Sequence, residues 1–69
     1  MKLSARNVLK GKIVSIKSGP VSTIVEIEVA KGVILSSVIT SPSAKSLKLK
    51  KGKEAYAIVK SSNVIVGID

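Results

Sequence analysis

Apolar and polar residues alternate with a period of two along much of this chain of 69 residues, the pattern of strands that turn one face to a core. It is clearest from Val21 to Ala30, where Val21, Thr23, Val25, Ile27 and Val29 alternate with Ser22, Ile24, Glu26, Glu28 and Ala30. Ahead of it a long strand is expected from about Ala5 to Ile16, with Gly11 inside it marking a bulge or sharp bend. Ser18-Gly19-Pro20 is the turn between the two. Lys31-Gly32 closes a hairpin into a third strand, Val33 to Thr40, which is apolar on both faces: Val33, Leu35 and Ile39 on one, Ile34 and Val38 on the other. A solvated outer face would not look like this. One side fits a barrel interior, the other a contact with a second copy of the chain.

Ser41-Pro42 reads as an N-cap followed by proline at the first helical position, opening a helix through about Leu47. Such a helix is too short to persist without docking. Lys48-Leu49-Lys50-Lys51-Gly52-Lys53 follows as a basic loop, to which no specific site is assigned. Two final strands, Ala55 to Lys60 and Val64 to Ile68, are joined by Ser61-Ser62-Asn63. The expected fold is all-β: a five-stranded antiparallel barrel of the oligonucleotide/oligosaccharide-binding (OB) type, with one short helix before the fourth strand. In so small a barrel the first and last strands lie close together, which lets the Lys60 turn reach the Ser4 region in the same chain or across a dimer contact.

Composition narrows the possibilities. A chain this short forms a single domain, residues 1–69, at the edge of what its own core can stabilise. With no Cys and no His, disulfides, thiolate metal sites and imidazole ligands are excluded, and self-association is the remaining support. The hydrophobic share of 45% and mean hydropathy of +0.40 agree, yet no apolar run is long enough to span a membrane. Met1-Lys2-Leu3 leads into Ser4, Arg6 and Asn7 rather than an apolar leader, so the expected location is cytoplasmic. Twelve basic residues against four acidic ones give a net charge of +8, which calls for an anionic partner. A basic OB-like nucleic-acid-binding domain is one reading. Against it, single-strand binders stack bases on several aromatic rings, and this chain has only Tyr56.

The candidate chemistry is binding, with no sign of an enzyme. Glu26 and Glu28 share a strand face but read as a solvated row balancing nearby lysines, and there is no nucleophile–base arrangement or phosphate loop. By contrast, Ser4-Ala5-Arg6-Asn7 gathers a hydroxyl, the only guanidinium and a carboxamide, donors suited to an acceptor-only ligand such as a tetrahedral oxyanion. Lys60-Ser61-Ser62 adds an ammonium, two hydroxyls and turn amides.

Taken together, Ser4-Ala5-Arg6-Asn7, Leu9-Lys10-Gly11, the Gly19-x-Val21 turn, Thr40 with Ser43 and Leu47, Gly52 and Lys60-Ser61-Ser62 resemble the molbindin family, small molybdate-binding proteins built from the Mop or TOBE domain. The resemblance covers essentially the whole chain. It implies an OB-like barrel assembled as a hexamer, a trimer of dimers, holding molybdate or tungstate at subunit interfaces for cytoplasmic storage and homeostasis, with no catalytic cofactor. The main family site corresponds to Ser4, Ala5 and Arg6 on one side and Lys60 and Ser61 on the other, Ala5 acting through its backbone amide. A second site corresponds to the turn at Gly19, Val21 and Ser22. There Pro20 departs from the pattern, because it has no N–H to donate. Similar domains also occur fused to regulators and transporters, so a sensory role through a partner chain is a further possibility.

Overall fold

The computed structural model describes all 69 residues. Strand β1 (Asn7–Ser18) is the hub. Strands β2 (Ser22–Ala30) and β3 (Val33–Thr40), helix α1 (Ser41–Ser46) and strand β4 (Glu54–Val59) follow, and the chain closes with a 3₁₀ turn over Ser61–Asn63. The sheet is antiparallel, in the order β3-β2-β1-β4. At its N-terminal half β1 pairs with β4, from Asn7 opposite Val59 to Lys12 opposite Glu54. Its C-terminal half pairs with β2, from Lys12 opposite Glu28 to Ser18 opposite Thr23. One strand serving two partners in succession is what curls the sheet into a half-barrel.

Gly11 stands where the partner changes. A Cβ there would lie 2.3 Å from the carbonyl oxygen of Glu28 and 2.9 Å from Ile27 Cγ2, so only glycine allows β2 to cross at this distance. The register shift in β1 falls later, between Ile13 and Ser15, and the expected bulge at Gly11 is corrected accordingly. The glycine serves close approach, and the irregularity adds the local twist.

Ile13, Val25 and Ile27 form the buried core, with Ile16, Val29, Ile39, Leu49, Ala55 and Ala57 packed around them. The β2 alternation places Thr23, Val25 and Ile27 inside as expected, whereas Val21 lies before the strand and is exposed. Thr23 is buried because it has a partner: its hydroxyl lies 2.9 Å from that of Ser41, which donates to the Gly19 carbonyl at 2.6 Å. Ser41 is therefore a buried tether rather than the helix cap. Thr40 is the N-cap, its hydroxyl accepting from the Ser43 amide at 3.2 Å, and Ser41 and Pro42 occupy the first helical turn.

Four strands form where five were expected. Val64 to Ile68 pairs with nothing in this chain, and Ile65 and Ile68 are 93% and 95% exposed. The two edge strands, β3 and β4, face each other across a cleft of about 370 Å³ lined by Leu35, Ser36 and Ser37 on one side and Tyr56 to Val59 on the other. Half of a barrel wall is thus missing along this seam, while an apolar segment with strand alternation lies unpaired at the C-terminus. No helix is long and apolar enough to cross a membrane.

Candidate oxyanion site

The two donor segments found in the sequence sit at the same end of one ladder. Asn7 opposite Val59 is its last rung; Ser4 to Arg6 lead into it on one side, and Lys60 and Ser61 follow it on the other. β1 delivers the first segment because its pairing begins only at Asn7, leaving Ser4 to Arg6 as an unpaired lead-in with bends at Ser4 and Arg6. β4 delivers the second because it stops at Val59. Lys60 then caps the 3₁₀ turn, which is closed by Asn63 N–H donating to the Lys60 carbonyl at 2.8 Å and Val64 N–H to the Ser61 carbonyl at 3.3 Å.

Both bonds use carbonyls of the turn and leave its leading amides free. The N–H groups of Ser61 and Ser62 donate to no backbone carbonyl, and neither do those of Ser4 and Ala5. No side chain of Ser4, Arg6, Lys60, Ser61 or Ser62 takes part in a hydrogen bond. The one ion pair in the chain, Lys10 with Glu54 at 3.4 Å, lies toward the other end of β4. Arg6 and Lys60 therefore flank the same end of the ladder, and neither is in an ion pair. Like charges near one another are mutually destabilising, and a dianion bound between them reverses the sign.

Ala5 is half-buried, and Ser4, Arg6, Lys60 and Ser61 are exposed. None of the five lines any cavity of the chain. The single chain thus presents a donor-rich surface without walls deep enough to exclude water. Asn7, the other polar residue of the opening tetrapeptide, is the first residue of β1 and sits on the last rung.

The second predicted group, Gly19, Val21 and Ser22, has fewer donors to offer. The Gly19 N–H is engaged by the Ser22 carbonyl at 2.9 Å, and the Val21 carbonyl accepts from Ser41 N–H at 2.8 Å. A cavity of about 250 Å³ opens beside Gly19, lined also by Ser18, Lys45 and Lys48, but Val21 and Ser22 do not line it. The Val21 amide and the Ser22 hydroxyl remain unengaged.

Sequence reasoning expected the Lys60 turn to reach the Ser4 region, and the β1–β4 ladder ends between these two segments. It also named the amides of the Ser61-Ser62 turn, which a turn directly after a strand leaves without ladder partners.

Comparison with known proteins bears on these residues. The TOBE domain family matches residues 3–66. A probable molybdenum-pterin-binding protein of Haemophilus influenzae is 52% identical over 69 residues, covering 100% of both chains. The solved structure of MopII from Clostridium pasteurianum superposes with a TM-score of 0.91 at 42% identity, covering 97% of this chain and 100% of that one. The cytoplasmic molybdate-binding protein ModG, in a structure with molybdate bound, superposes with a TM-score of 0.82 at 41% identity, over 96% of this chain and 53% of ModG.

Proposed function

Because the chain belongs to the TOBE-domain family, within the molbindin group of Mop proteins, we propose that it binds molybdate or tungstate between Ser4-Ala5-Arg6 and Lys60-Ser61. The observation that carries this reading is that Arg6 and Lys60 flank the Asn7–Val59 rung, with unengaged amides and hydroxyls next to them in the chain and neither cation in an ion pair. Molybdate is a dianion near neutral pH with four acceptor oxygens and no proton to donate, so a lining of donors alone suits it. Phosphate, partly protonated in that range, would want an acceptor that these residues do not offer. Charge-assisted hydrogen bonds contribute roughly 1.5–3 kcal/mol each. Several converging on one ion reach micromolar binding, about −8 kcal/mol, after ordering costs.

Those magnitudes require desolvation, and the open surface of one chain does not supply it. We infer that a second copy closes the site, in a hexamer built as a trimer of dimers. Supporting this are the exposed apolar residues Ile24, Ile34 and Val38 on the outer face of β2 and β3, the open seam between β3 and β4, and the unpaired Val64–Ile68 segment. Docking of that segment on another copy would also hold the Ser61–Asn63 turn, which directly precedes it. An anion bound only by the assembled form stabilises assembly by mass action. The physiological task that follows is cytoplasmic storage and buffering of the oxyanion, without catalysis. The turn at Gly19, Val21 and Ser22 is a weaker second position, limited to the Val21 amide and Ser22 hydroxyl.

Titration calorimetry with molybdate, tungstate and sulfate tests the reading. Saturable heat with molybdate and tungstate, and affinity for sulfate lower by at least about tenfold, is the expected result. No heat with molybdate, or equal affinity for sulfate, would sink it.

A further inference from the structure

Only two polar side chains are buried in this chain, those of Thr23 and Ser41, and both belong to one hydrogen-bonded group. Burying a hydroxyl costs free energy that its hydrogen bonds must offset. The Ser41 hydroxyl donates to the Gly19 carbonyl at 2.6 Å. Its single proton is thereby committed, so the Thr23 hydroxyl, 2.9 Å away, is the donor to the Ser41 oxygen. The Ser41 N–H donates in turn to the Val21 carbonyl at 2.8 Å. Every one of these bonds runs between the start of helix α1 and the segment from Gly19 to Thr23.

Ser41 thus holds the turn between β1 and β2 by two carbonyls, one on each side of Pro20. The turn also closes on itself, with Gly19 N–H donating to the Ser22 carbonyl at 2.9 Å. A Cβ at Gly19 would lie 2.9 Å from that same oxygen, so a closure this tight depends on glycine. Pro20 has no N–H and a φ fixed at about −65°, which leaves the tip little freedom between its two anchored carbonyls. The donors left over are the Val21 amide and the Ser22 hydroxyl, both unengaged. The Gly19 and Val21 carbonyl oxygens, groups that repel an anion, are directed at a buried residue instead.

We propose that Ser41 is the positioning residue of the second oxyanion position, fixing the turn so that the Val21 amide and the Ser22 hydroxyl are available to the ion, and that Thr23 holds Ser41 in that role. The inference rests on the reading of this turn as an oxyanion position. Ser41 itself touches no ion; it acts through the backbone of the turn. The main site is out of its reach. Arg6 and Lys60 flank the Asn7 end of β1, whereas the turn follows Ser18 at the other end of that strand. Loss of the Ser41 hydroxyl frees the Gly19 carbonyl to turn outward and leaves the main site as it was.

Calorimetric titration of the assembled protein with molybdate tests this, with R6A identifying the main class of binding and S22A the second. S41A is expected to lower the affinity of the second class at least about tenfold and to leave the main class within about twofold of wild type. S41T, which keeps the hydroxyl, is expected to bring the second class back to within about threefold of wild type. The double variant T23V/S41A repeats the measurement should S41A unfold, because it leaves no buried hydroxyl without a partner. A wild-type titration with no second class would overturn the reading of the turn, and this inference with it. A second class unchanged in S41A and T23V/S41A, one as weak in S41T as in S41A, or both classes falling together would overturn the role of Ser41 alone.

Discussion

Asn7 lies opposite Val59 on the last rung between β1 and β4, and the residues one step beyond that rung, Arg6 and Lys60, come from opposite ends of the chain. Removing either side of this arrangement should weaken oxyanion binding while leaving the barrel intact. For Arg6→Ala or Ser61→Ala the loss of one donor corresponds to an affinity lower by roughly ten- to a hundredfold. Calorimetry measures the loss, and circular dichroism checks that the sheet is unchanged. Unaltered affinity in both variants would mean that the ion sits elsewhere.

Stability depends on a different close approach. Gly11→Ala would put a methyl 2.3 Å from the Glu28 carbonyl oxygen, and backbone on both sides must move to accept it. A loss of about 3 kcal/mol is expected, the upper end of the usual cost of overpacking. Urea unfolding should show a lowered midpoint. Gly32→Ala meets no neighbouring atom and is strained only by its φ of +76°, so it should cost less, near 1 kcal/mol.

The opposite sign is expected at Lys48. Replacing it with glycine relieves a left-handed φ of +53°, and the bonds that end helix α1, from Lys48 N–H to the Lys45 carbonyl and from Leu49 N–H to the Ala44 carbonyl, are backbone and survive. A gain of up to about 1 kcal/mol in unfolding free energy is expected, seen as a higher midpoint in thermal or urea unfolding. A lower midpoint would mean that the Lys48 side chain itself supports the basic loop.

Val66→Asp tests the role of the C-terminal segment. Val66 is 86% exposed in the single chain, so in a monomer the change is nearly neutral. If the segment docks on another copy, a charge at its centre has to be buried and the assembly should dissociate. Sedimentation of wild type and variant at matched concentration distinguishes the two cases.

These same elements show how far the sequence could be read. The inward face of β2 was legible because Thr23, Val25 and Ile27 alternate strictly with polar or exposed neighbours. The donor segments were legible because small polar residues and the only guanidinium cluster there. Their meeting was a reasonable expectation for a small barrel, but the rung that joins them is a pairing between distant residues, which local periodicity does not encode. Val64 to Ile68 shows the limit most clearly. It carries the pattern of a strand, but a pattern reports which face of a strand is apolar and says nothing about whether the pairing partner lies in the same chain. Gly11 and Ser41 were misread for local reasons. A glycine inside a strand signals a bulge and a close approach alike, and Thr40 and Ser41 are adjacent hydroxyls that can both cap a helix.

Native mass spectrometry of the protein with and without molybdate addresses the central claim most directly, because it weighs the assembly and counts the ligand together. The expected spectrum is a hexamer that gains molybdate in a fixed ratio, loses that gain in Arg6→Ala, and becomes more resistant to dissociation when loaded. A monomer that carries no molybdate, or a hexamer whose loading is the same with and without Arg6, would contradict the account.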